Sequence, residues 1–144
     1  MPIPHPALQR PVRTPEELTT RWESVAALGG TPDDPYDPDD DGADLWIQLF
    51  DATGRAHGVL VVVEGVDPTP DDELTGSLAG VLAHLLTREV GPGAVAVALV
   101  PRTPRDVAVD DLAWGQALVT ACRTEDVALL GVHLVSGVRA RRLL

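Results

Sequence analysis

The chain has 144 residues, a hydrophobic fraction of 44% and a net charge of −11, which is the size and balance of one globular domain, not of a disordered or fibrous chain. Such acidity excludes general affinity for nucleic acid or an anionic membrane, which both require a basic footprint, and its ordinary role is to maintain solubility. The longest apolar runs, residues 59–63 and 94–100, are too short to span a bilayer and no secretory leader opens the chain, so a cytoplasmic location is expected.

Residues 1–13 hold four prolines and no periodic pattern, and read as an extended arm. A helix start follows, with Thr14 as N-cap, Pro15 at the first helical position and Glu17 placed for a capping box. Leu18, Trp22, Val25 and Ala26 form one apolar stripe, and Gly29-Gly30 ends the helix. Residues 31–44 are nearly all Asp and Pro, a composition that cannot bury apolar surface and reads as a surface loop. The chain therefore divides into an arm and helix at 1–30, an acidic loop at 31–44 and a core at 45–144.

Within the core, residues 45–51 and 59–64 are β-rich and read as a hairpin turning around Thr53-Gly54. The Asp/Pro run at 67–73 stops the second strand and caps a helix whose Leu74, Leu78, Val81, Leu82, Leu85 and Leu86 make one wide apolar face. After the break at Gly91-Pro92-Gly93, residues 94–100 are continuously apolar, as expected of a central strand covered on both faces. A loop at 101–109 leads to a helix over about 110–124 that turns Trp114, Ala117, Leu118, Ala121 and Cys122 inward. Strands at 127–135 and 138–143 meet around Ser136-Gly137. The expected fold class is α/β: a single three-layer-type domain with a central mixed β-sheet, in the order α-β-β-α-β-α-β-β.

Few residues carry chemistry. Asp37, Asp39 and Asp41 followed by Gly42 fit the opening of a calcium loop, but the twelfth position is Gln48 where a bidentate Glu belongs, so a solvated acidic loop is the better reading. His5, His57, His84 and His133 stand singly, without the spacing that aims two imidazoles at one metal. Cys122, the single cysteine, cannot form an internal disulfide and occupies a core-facing helical position. No Gly-x-Ser-x-Gly or phosphate-binding glycine pattern occurs, and no cofactor is implied. All 11 basic residues are arginine, with no lysine or asparagine, the composition of a GC-rich bacterial genome.

From Leu45 onward the chain resembles the JAB/MPN metalloprotease-like family, in its RadC-type bacterial branch, a cytidine-deaminase-like fold. The likeness rests on the hairpin opening at residues 45–55, the strand 94–100, the loop 101–111 and the strand 129–135. In active members of that family a His-x-His-Pro motif is followed by Ser and Asp, and the imidazoles and the Asp hold zinc. Here Pro101 and Asp111 match, but Ala98 and Val100 stand where the histidines belong and Ala108 where the serine belongs. Two of three metal ligands are thus missing, and zinc hydrolysis needs them to hold an ion with one open position. Glu64 corresponds to the family's catalytic glutamate, although a solvent-facing acid at a strand end is its ordinary reading.

The resemblance implies a non-catalytic domain that binds or scaffolds an unidentified protein partner, across the loop bearing Arg102 and Arg105. Two other readings stand beside it. One is a metal-dependent hydrolase drawing on Asp106, Asp110, Asp111, His57 and His133; the other is an acidic decoy of a nucleic-acid-binding enzyme.

Overall fold

A computed structural model describes residues 11–29 and 42–144. Most of the expected arm and loop, with Asp37, Asp39 and Asp41, lies outside the described residues. Helix α1 (Pro15–Gly29) starts as its cap dictates, the Thr14 hydroxyl accepting the Glu17 amide at 3.1 Å. Its stripe of Leu18, Trp22, Val25 and Ala26 is buried.

Strands β1 (Ala43–Asp51) and β2 (Ala56–Val66) form the expected hairpin, and both are longer than their β-rich centres. Ala43 is drawn into β1 because it pairs with Val66 on one side and Pro101 on the other. The core thus begins two residues inside the segment assigned to the acidic loop. At the turn, the Asp51 carboxylate accepts the Thr53 hydroxyl at 2.6 Å and the amides of Thr53 and Arg55 at 2.9 and 3.0 Å, bonds that hold its carboxyl below the usual range. Gly54 sits at φ +85, where a Cβ would lie 2.2 Å from the Val12 carbonyl oxygen, and its own carbonyl accepts the Val12 amide at 2.8 Å. This contact fixes where the chain enters α1.

Helix α2 (Asp72–Leu85) is capped by Asp71, whose carboxylate accepts the Glu73 and Leu74 amides. A π-helical turn (Leu86–Val90) closes it before Gly91 at φ +79. The apolar face is narrower than expected. Thr75, Leu78, Ala79, Leu82 and Leu86 are buried, whereas Val81, about 100° round the helix from Leu82, is 54% exposed because nothing packs on that side.

Strand β3 (Gly93–Pro101), helix α3 (Val109–Thr124), strand β4 (Leu129–Ser136) and strand β5 (Arg139–Arg142) complete the expected order. The strands form one open mixed sheet in the order β2-β1-β3-β4-β5. β3 and β4 are parallel, as a helical crossover through α3 requires, and every other pair is antiparallel.

Central strand β3 explains the layering. Its apolar run alternates in size, with Ala94, Ala96 and Ala98 on one set of positions and Val95, Val97 and Leu99 on the other. The bulky set joins Leu45, Ile47 and Leu49 in a core closed by Leu78 and Leu82 of α2 and Trp114, Leu118 and Cys122 of α3. Ala96 and Ala98 face α1 and share a second core with Trp22, Phe50 and Val135, where small side chains leave room for the indole. One helix therefore covers one face and two cover the other. Among the described residues no helix is long and apolar enough to cross a membrane.

Candidate functional site

Residues 102–108 join the end of β3 to α3, and they are pinned at three points. Asp111, in the first turn of α3 and 1% exposed, receives both terminal nitrogens of Arg105, at 2.6 and 2.8 Å, and the Ala108 amide at 2.7 Å. This is the bidentate guanidinium–carboxylate geometry, at a helix N-terminus that itself favours a negative charge. The carboxylate raises the Arg105 guanidinium further above its ordinary range. The Arg105 amide in turn donates to the Ser136 hydroxyl at 2.7 Å, tying the loop to the end of β4. Arg102 lies 3.5 Å from Asp44, whose carboxylate also accepts the Gly65 amide at 3.0 Å.

Both sequence-predicted arginines thus face carboxylates of their own chain. Val107, Val109 and Leu112 are exposed at 36%, 82% and 43%, beside the exposed acids Asp106 and Asp110. Asp111, read from the sequence as a remnant metal ligand, is the anchor that holds this display in place. A carboxylate three residues beyond the Ala108 helix boundary is the signal that would have revealed it, since such a side chain reaches back to the free amide there.

The other remnant positions lie elsewhere. Ala98 is fully buried and Val100 is half-buried, both in the core under α1, whereas α3, which carries Asp111, packs on the opposite face. Ala108 is exposed at the N-terminal boundary of α3. The structure therefore does not bring Ala98 and Val100 together with Asp111.

Beneath α1 lies a polar set that no local pattern announced. His133 is fully buried, and its Nε2 lies 2.8 Å from the Thr19 hydroxyl. The same hydroxyl lies 3.1 Å from the Pro15 carbonyl, so it links the imidazole to the first turn of α1. Burial first, then the nearby charge of Arg142, pushes the imidazole down to about 4. Trp22 Nε1 and His133 Nδ1 are both buried without a hydrogen-bond partner among the described residues. Arg21 donates to Gln48 at 2.7 Å and stacks over Phe50, while Glu23 accepts the Ala140 amide at 3.2 Å. These bonds orient α1 on the sheet; they are 27 to 117 residues apart in the chain, which is why sequence spacing did not show them.

The remaining candidates stay scattered. His57 lies on β2 and His133 on β4, separated by β1 and β3, and Glu64 faces solvent. Cys122 is buried, and burial pushes its thiol up, away from the thiolate a nucleophile needs. Among the described residues no three His, Cys, Asp or Glu side chains lie where they can hold a metal ion. The fold is thus an open mixed α/β sheet with one helix on one face and two on the other. The chain matches no protein-family model and no curated protein.

Proposed function

We propose that the chain is a non-catalytic JAB/RadC-like domain of a bacterial cytoplasm that binds a protein partner through the loop after β3. The observation that carries this reading is the combination of exposed Val107, Val109 and Leu112 with the part-buried Arg105–Asp111 pair that fixes the loop between β3 and α3. An exposed apolar cluster costs solubility unless something covers it, and a loop already fixed in position loses little entropy when that happens. The positions of the missing histidines support the non-catalytic half of the reading: Ala98 and Val100 belong to a packed core with Trp22.

Two measurements test the halves separately. Elemental analysis of protein purified without chelator is expected to find no stoichiometric zinc or manganese; about one equivalent of either contradicts the non-catalytic reading. Capture of a partner from lysate is expected to disappear with the double variant Val109→Asp/Leu112→Asp, and unchanged capture rejects the loop as the binding surface.

A further inference from the structure

The two edges of the sheet differ in kind. β5 is four residues long and all but Ala140 are arginines, the short, charged edge that resists pairing with another chain. β2, at the opposite edge, runs for 11 residues without a proline, lysine or arginine, and Glu64 is its one acid. Among the described residues its backbone pairs with β1 alone, so alternate residues turn an unpaired N–H and C=O outward. Between shifts of register near either end, residues 60–63 pair without interruption with residues 45–48. Val61 and Val63 pack on the α2 side of the sheet, whereas Leu60 and Val62 stand 37% and 45% exposed on the other. Half-buried Trp46 is the neighbour of Val62 on β1, while α1 packs chiefly over β4 and β5 at the other end of the sheet.

We propose that β2 is a homodimer edge, at which two copies of this chain join β2 to β2, antiparallel about a two-fold axis at Val61, in one continuous sheet. The sequence of the strand selects a second copy and this register. A two-fold axis through the sheet keeps like faces together, so residues that face the same side must meet. With Val61 opposite Val61, Leu60 of each copy meets Val62 of the other, and these two pairs continue the apolar strip begun by Trp46. Centring on Leu60 instead sets Val62 against Gly58, and centring on Val62 sets Leu60 against the Glu64 carboxylate. In the register about Val61 each Glu64 lies opposite Gly58, and the two carboxylates are six residues of strand apart, about 20 Å, well beyond the roughly 8 Å over which charges act at physiological salt. Antiparallel pairing also lays the end bearing exposed Glu64 and Asp67 beside the end bearing exposed Arg55 and half-buried His57, so opposite charges flank an apolar centre. No acid lies between Ala56 and Val63, so the net charge of −11 sits away from the contact. The edge shares no residue with the loop after β3, and each surface stands or falls alone.

Sedimentation velocity of the full chain at about 0.15 M salt tests the proposal, and a concentration-dependent dimer is expected with a Kd below about 100 μM. Leu60→Lys or Val62→Glu alone is expected to weaken association at least about tenfold, because each sets a charge against an apolar side chain across the shared edge. The double variant Leu60→Lys/Val62→Glu is expected to restore it, since the new ammonium of each copy then meets the new carboxylate of the other. Val81→Lys, on the exposed side of α2, is expected to leave association within about twofold. Circular dichroism checks that each variant is folded. A monomer at all concentrations up to about 1 mM, a dimer indifferent to Leu60→Lys, or equal weakening by Val81→Lys overturns the proposal. Failure of the double variant to associate rejects the axis at Val61. Species that grow beyond a dimer reject the closed pairing in favour of β2 joining β5 of the next copy. Dissociation by Val109→Asp/Leu112→Asp overturns the proposal by placing the interface on the loop after β3.

Discussion

Two groups of arginines divide the molecule. Arg102 and Arg105, at the end of β3, pair with Asp44 and Asp111, beside exposed Val107, Val109 and Leu112. Arg123, Arg139, Arg141 and Arg142, on α3 and β5, have no carboxylate within ion-pair distance among the described residues. The difference shows that an arginine in a loop is not by itself a binding residue. Where a buried acid meets it, the guanidinium is part of the fold; where none does, its charge remains to act on neighbours and ligands.

His133 reports on that residual charge and gives the largest expected effect. Its folded pKa is about 4, depressed by burial and by Arg142 from an ordinary value of 6.5. The unfolded chain therefore binds the proton more readily, and the histidine's contribution to stability is complete above about pH 6.5 and lost as pH falls through about 4. By that linkage the loss approaches roughly 3 kcal/mol. Denaturant melts between pH 4 and 7 are expected to show this slope, reduced in Arg142→Ala; a slope unchanged in His133→Gln contradicts the assignment.

Removing a guanidinium from the inward group comes next. Arg105→Ala strands the buried Asp111 with only the Ala108 amide, and since Arg105 is one-third exposed the cost falls at the low end for a broken buried pair, about 2–3 kcal/mol. A midpoint within error of wild type shows that water replaces the pair and that the loop is not pinned as described. The smallest effect belongs to the arginines of α3 and β5. Arg141→Ala and Arg123→Ala are expected to change stability by no more than about 0.5 kcal/mol, as for surface side chains without partners. A loss above about 1 kcal/mol in either places it in the structural group and breaks the comparison.

Much of the fold was legible in local pattern. Thr14-Pro15 marked the start of α1, the continuous apolar run of 94–100 marked a strand covered on both sides, and Gly91 marked the end of the helix before it. What was illegible depends on partners distant in sequence. β2 runs to Val66 because β1 pairs with it there, and His133 is buried because Thr19 lies over it. Val81 looked apolar enough to be inside, yet α2 has neighbours on one side only. The candidate site was legible as a loop and not as a function: Arg105 and Asp111 were singled out, but a basic residue and an acid six positions apart do not reveal that they neutralise each other.

The central claim is that Ala98 and Val100 belong to a filled core and not to a metal site. Denaturant melts of Ala98→His/Val100→His with and without zinc test it directly, because a ligand raises the midpoint only when the folded state binds it. Two imidazoles forced beneath Trp22 are expected to lower stability by about 3 kcal/mol or more through overpacking and unsatisfied nitrogens, with no response to zinc. A zinc-dependent rise in the midpoint contradicts the account, for it requires both new histidines to reach an ion and a pocket beneath α1 to hold it.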